Sequence, residues 1–111
     1  MANAFKTFTA QNIDTSSSKA TLYTCPSSTE TTIIGLNIAN ILGVSITVTV
    51  EFLDGGSTVT HIVKDAIIPV GSSLVVVGGD QKIVMNATDV LKVYGSQANC
   101  CDAVLSVLEI T

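Results

Sequence analysis

Arginine and tryptophan are absent from this 111-residue chain, and charge of either sign is scarce. The five basic residues are all lysines, Lys6, Lys19, Lys64, Lys82 and Lys92, and they are scattered along a chain of net charge −4. Phosphate is bound best by clustered bases and bidentate guanidinium groups. The expected partners therefore include no nucleic acid and no anionic membrane surface. Sugars and single-stranded nucleic acids stack on exposed aromatic side chains, tryptophan above all. Phe5, Phe8, Tyr23, Phe52 and Tyr94 are the only aromatics, and the two tyrosines alone suit such a platform.

Helical periodicity is also missing. No window of ten residues places apolar side chains at helical spacing, and Asn86 to Val93 offers one weak turn at most. The N-terminus, MANAFKTFTAQ, lacks the apolar segment of a signal peptide. One twenty-residue stretch, residues 31–50, carries no charge and has the length of a membrane span. It is interrupted by Asn37, Asn40, Ser45 and several threonines, and its second half alternates. It reads as two strands separated at Gly43.

Cysteine is present in an odd number, as Cys25, Cys100 and Cys101. An odd count with an adjacent pair is no disulfide framework. Adjacent cysteines bond to each other only with strain. Three reduced thiols without a catalytic role are expected, in a chain made in a cytoplasm.

Apolar residues and short turns dominate instead. Apolar residues form 47% of the chain, and charged residues 13%, about half the usual level of about 25%. So few charges cannot clothe the surface of one small domain, and self-association is expected. The clearest strand is 44–53, with Ile46, Val48, Val50 and Phe52 on one face and Ser45, Thr47, Thr49 and Glu51 on the other. Asp54-Gly55-Gly56-Ser57 then predicts a solvent-facing hairpin tip. Further strands are expected at 20–24, 31–41, 58–64, 73–77, 82–85, 89–94 and 101–110. In the second of these, Thr32, Ile34, Leu36 and Ile38 would share a face. Residues 10–19 read as a loop. The fold class that follows is all-β, an antiparallel β-sandwich or jelly-roll-like barrel of about eight strands. An N-terminal arm and loop (1–19) would precede a sandwich domain (20–111).

Candidate chemistry reduces to structural roles. Asp80 and Asp89 sit where a carboxylate closes a turn by accepting backbone N–H bonds. Their segment has too few oxygen ligands for a metal loop. Asn86-Ala87-Thr88 matches a glycosylation sequon without a secretion signal to give it meaning. His61, the only histidine, lies mid-strand without a nucleophile or acid announced beside it. Cys100, Cys101 and His61 do not make a zinc site, because Cys-x-x-Cys spacing is missing and neighbours on a strand point apart. Gly78-Gly79 is followed by no helix to bind phosphate. No cofactor, metal or catalytic residue is expected, and the chain is not expected to be an enzyme.

Over residues 20–111, "TLYTCPSSTETTIIGLNIAN", "VTVEFLDGG", "IVKDAIIPVGSSLVVVGGDQKIVMNATDVLKVYGS" and "AVLSVLEIT" resemble small virion structural proteins of tailed bacteriophages, of the marine and cyanobacterial type. The resemblance implies a β-sandwich-like assembly subunit and carries over no catalytic residue. It does not distinguish head, neck and tail; within the class a head decoration or cement protein is the favoured expectation, located in the virion and made in the host cytoplasm. The alternatives are a neck, tail or baseplate component, or a receptor- or glycan-binding module at the tail. The partners would be other virion proteins and the chain itself, with a trimer favoured from the habits of such proteins. The expected interface comprises Phe5 and Phe8, as part of an arm reaching a neighbour, and Ala103, Leu105 and Val107. The last strand is apolar on both faces, so a sandwich could bury one and a partner the other.

Overall fold

A computed structural model describes residues 3–111, so the Met1-Ala2 start of the expected arm lies outside the described residues. Among the described residues, nine strands are connected by tight turns and one 3-10 turn, Ser16–Ser18. The strands are β1 (Asn3–Ile13), β2 (Ala20–Thr24), β3 (Glu30–Asn40), β4 (Ile46–Asp54), β5 (Thr58–Ile68), β6 (Ser73–Val77), β7 (Ile83–Met85), β8 (Val90–Gly95) and β9 (Cys101–Ile110). The first sheet runs β1-β9-β3-β6, with β7 also paired to β3; the second runs β2-β8-β4-β5. All pairs are antiparallel. The expected sandwich is thus formed. The uncharged stretch 31–50 supplies β3 to one sheet and β4 to the other, and no helix among the described residues is long and apolar enough to cross a membrane.

The ninth strand is β1. Residues 10–13, expected as loop, continue it past a kink where the register with β9 shifts between Ala10 and Ile13. Asn12 takes a left-handed conformation there (φ 53°), which asparagine tolerates better than most residues. Its amide donates to Asp102 Oδ1 at 2.9 Å. Polar composition thus marks a bulge here, not the end of the strand.

A second bulge changes β3. The register against β9 shifts between Ile33 and Gly35, so parity flips within the strand. Ile33, Leu36 and Ile38 point into the core, while Thr32 and Ile34 are only partly covered. Strict period-2 counting placed Ile34 with Leu36 and could not see the extra residue.

Facing β4 and β8 supply Val48, Val50, Leu91 and Val93 to the same core, and Phe52 packs at its border. Pro69 and Gly71 bend the chain between β5 and β6. Gly71 has φ 74° in that turn, a conformation open to glycine.

Candidate assembly surfaces

The outer face of the first sheet holds no formal charge across its middle. Cross-strand register aligns Phe5, Leu108, Thr32 and Val84 in one row. It aligns Thr9, Val104, Asn37 and Val75 in another. Phe5 is 79% exposed, and Val75, Val84 and Val104 are exposed too. Side chains in such rows stand about 5 Å apart, so the rows form a continuous patch rather than isolated residues.

The outer face of the second sheet differs. Glu51 lies opposite both His61 and Lys92 across the strands. Its buried carboxylate accepts from Lys19 Nζ at 3.1 Å, and His61 Nε2 lies 3.5 Å away. Lys19 also sits 5.3 Å from the Tyr94 ring centroid. Charge on this face centres on Glu51, which is paired within the chain.

The two sheets end together at edge strands β1 and β2. Between them lies a cleft of about 370 Å³ whose lining includes Lys6, Phe8, Leu22, Tyr23, Pro26 and Glu109. Phe8 and Tyr23 form a tilted ring pair, with centroids 4.8 Å apart. Glu109 faces inward and is nearly closed off from solvent. Its Oε1 meets Lys6 Nζ at 2.8 Å, and its Oε2 accepts from the Tyr23 hydroxyl at 2.6 Å. The Tyr23 hydroxyl also lies 2.8 Å from Thr31 Oγ1. The Lys6 ammonium, with help from Tyr23, holds the Glu109 carboxyl below its ordinary range. Burial, with the adjacent carboxylate, pushes the Tyr23 hydroxyl well up, so it remains a neutral donor. This cluster was not foreseen from the sequence. Its one signal was parity: Glu109 continues the inward series Ala103, Leu105, Val107, and a carboxylate there requires a partner.

The residues expected at the interface divide. Ala103, Leu105 and Val107 are at most 1% exposed and lie in the core between the sheets. The chain itself covers that face of β9; the face left open is the other one, with Val104 and Leu108. Phe8 is partly buried against the core, and Phe5 is open. The expected arm, from Asn3 on, pairs with the chain's own β9.

All three cysteines are free and buried. Cys100 and Cys101 do not point apart as strand neighbours would. Cys100 precedes β9, after Asn99 at φ 52°, and the two sulfurs lie 3.5 Å apart. Burial first, then the neighbouring Cys100 sulfur, raises the Cys101 thiol. Among the described residues no group of three His, Cys, Asp or Glu side chains is placed to hold a metal ion. Asp89 closes its turn as expected: Oδ2 accepts from the Asn86 amide at 2.9 Å, and Oδ1 accepts from the Gly55 amide at 2.8 Å.

No family model matches the sequence, and no curated protein matches it. Among solved structures, one from Bacillus endospore appendages, which form a family of disulfide-linked pili, matches 98% of this chain and 88% of its own. The TM-score is 0.59 and the identity 17%. The sandwich is shared with an appendage protein. That likeness establishes the fold.

It also corrects the sequence resemblance. The structure matched along nearly the whole chain comes from a spore appendage, not from a phage particle. The readings as a head decoration or cement subunit, as a neck, tail or baseplate component, and as a tail receptor or glycan module, fall with it. So does location in a virion. The physical reason is that turn-and-strand patterns specify a β-sandwich and are common to many particles built from one. Tyr23, one of the two tyrosines considered for glycan stacking, is buried.

Proposed function

We propose that this chain is a structural, non-catalytic subunit that polymerises with copies of itself into a fibre displayed outside the cell that makes it. The observation that carries this reading is the outer face of the first sheet, uncharged across its middle, with Phe5, Leu108, Thr32 and Val84 in one row. A lone small domain leaves such a face wet at a cost in free energy, and a neighbouring copy removes it from water. Edge strands β1, β2 and β5, each paired on one side only, offer further backbone donors and acceptors to a neighbour. The likeness to a pilus-forming appendage protein supports an open polymer over a closed trimer.

In one respect the polymer would differ from disulfide-linked pili. Its three thiols are buried within the subunit, so its contacts are non-covalent.

The test is negative-stain electron microscopy of the purified chain, with light scattering over a concentration series. Fibres that lengthen with concentration support the reading. A monomer at high micromolar concentration rejects it, and a discrete trimer would replace the fibre with a closed assembly.

A further inference from the structure

Phe5 and Phe8 are three residues apart on β1 and point to opposite sides of it. Phe8 lines the cleft between β1 and β2; Phe5, the most exposed large apolar side chain among the described residues, stands on the outer face of the first sheet. The chain thus carries an unmatched aromatic knob and, on a different surface, an unfilled cleft with aromatic walls. We propose that the Phe5 ring of one copy seats in the β1–β2 cleft of the next. This inference rests on the polymer reading and names the contact that would build it.

The chemistry of the cleft selects an apolar occupant. Glu109 already has Lys6 on one oxygen and Tyr23 on the other, and Tyr23 is also bonded to Thr31. Every buried side-chain polar atom among the described residues has a partner. A ring entering here strands none of these buried groups, and the exposed Thr21 and Thr24 also line the cleft. A polar ligand would have to compete for groups that are already satisfied. The cleft, at about 370 Å³, is at the small end for a ligand pocket and takes a phenyl ring. Phe8 and Tyr23 pack on each other in its lining, which also holds half-exposed Lys6.

A knob and a hole on different patches make a head-to-tail contact, which repeats from copy to copy into a fibre unless its rotation closes it into a ring. The occupant is therefore a second copy of this chain.

The absence of tryptophan supplies a clean probe. Phe5→Trp should show emission that shifts to the blue as the concentration rises and the ring leaves water. Phe5→Ser should keep the wild-type melting temperature within a few degrees, yet raise the concentration for half-assembly about tenfold or more. Thr24→Arg, an exposed substitution at the cleft wall, should do the same from the other side. Mixed in equal amounts, these two variants should form a dimer that neither forms alone, because one intact knob then meets one intact cleft. Wild-type assembly by folded Phe5→Ser or Thr24→Arg, an unshifted Phe5→Trp spectrum, or no dimer in the mixture would each overturn this contact while leaving the polymer reading intact. A wild-type chain that stays monomeric would remove both.

Discussion

Tyr23 donates a 2.6 Å hydrogen bond to the Glu109 carboxylate, joining the edge strand of one sheet to the last strand of the other. Lys6 grips the second oxygen of the same carboxylate, so three strands meet at one buried charge. Removing the donor leaves that charge under-partnered. Tyr23→Phe should therefore lower stability by about 1.5–3 kcal/mol at neutral pH, read from chemical denaturation.

The same carboxylate sets an acid limit. Its folded-state pKa is held below the ordinary 4.5, first by Lys6 and then by Tyr23. A depressed carboxylate contributes stability that is fully present above its unfolded pKa and is lost as pH falls through its folded pKa. The melting temperature should thus fall on acidification below about pH 4.5, and the fall should be smaller in Lys6→Gln. An equal fall in both proteins would detach Lys6 from the effect.

Gly95 is held free of a side chain by Cys100. A Cβ on Gly95 would overlap the Cys100 sulfur, which is fully buried. Gly95→Ala should destabilise by about 1–3 kcal/mol through overpacking. Cys100→Ala in the same chain should restore much of that loss, a coupling that a double-mutant cycle measures directly.

The hairpin tip was legible in the sequence, but its tether was not. Asp54-Gly55-Gly56-Ser57 does form the turn, with both glycines at positive φ. Insertion at this tip would be nearly free if it only lengthened a loop. However, the Gly55 amide donates to Asp89, thirty-four residues on, and that carboxylate also holds Asn86. A Gly-Ser insertion between Gly55 and Gly56 should therefore cost about 1.5–3 kcal/mol, and less in an Asp89→Asn background. Local turn chemistry is written in neighbouring residues; which distant loop it docks on is not. The same limit hid the β3 bulge, the burial of Cys100 beside Cys101, and the Lys6–Glu109–Tyr23 cluster. Alternation in β4 was readable because apolar and polar residues alternate along it, whereas β9, apolar on both faces, gave no sign of which face the chain itself covers.

The thiols should be silent in the native chain. Cys25 lies near Thr31, and Cys101 pairs with Asn40, nine residues farther along β3. That separation is about 30 Å, far beyond the reach of a disulfide. A thiol reagent should find no reactive group in the folded protein and three after denaturation without reductant. Fibres should form equally well with and without reductant. Loss of fibres on reduction would place a sulfur bond at the contact.

Strand β9 separates folding from assembly by parity alone. Leu105 and Val107 are sealed between the sheets, whereas Val104 and Leu108 belong to the outer face. An unpaired charge at either inner position costs several kcal/mol, a large part of the about 5–15 kcal/mol that holds a small domain together. Leu105→Lys or Val107→Lys should therefore give unfolded or aggregated chains. At the outer positions a lysine keeps its ammonium in water as long as the chain is alone, and the penalty arises only when a neighbour covers it. Val104→Lys and Leu108→Lys should melt within a few degrees of the wild type yet fail to assemble. Circular dichroism reads the first property and light scattering the second. Folded, assembling Leu108→Lys would move the subunit contact off this face, and folded Leu105→Lys would contradict the sandwich itself.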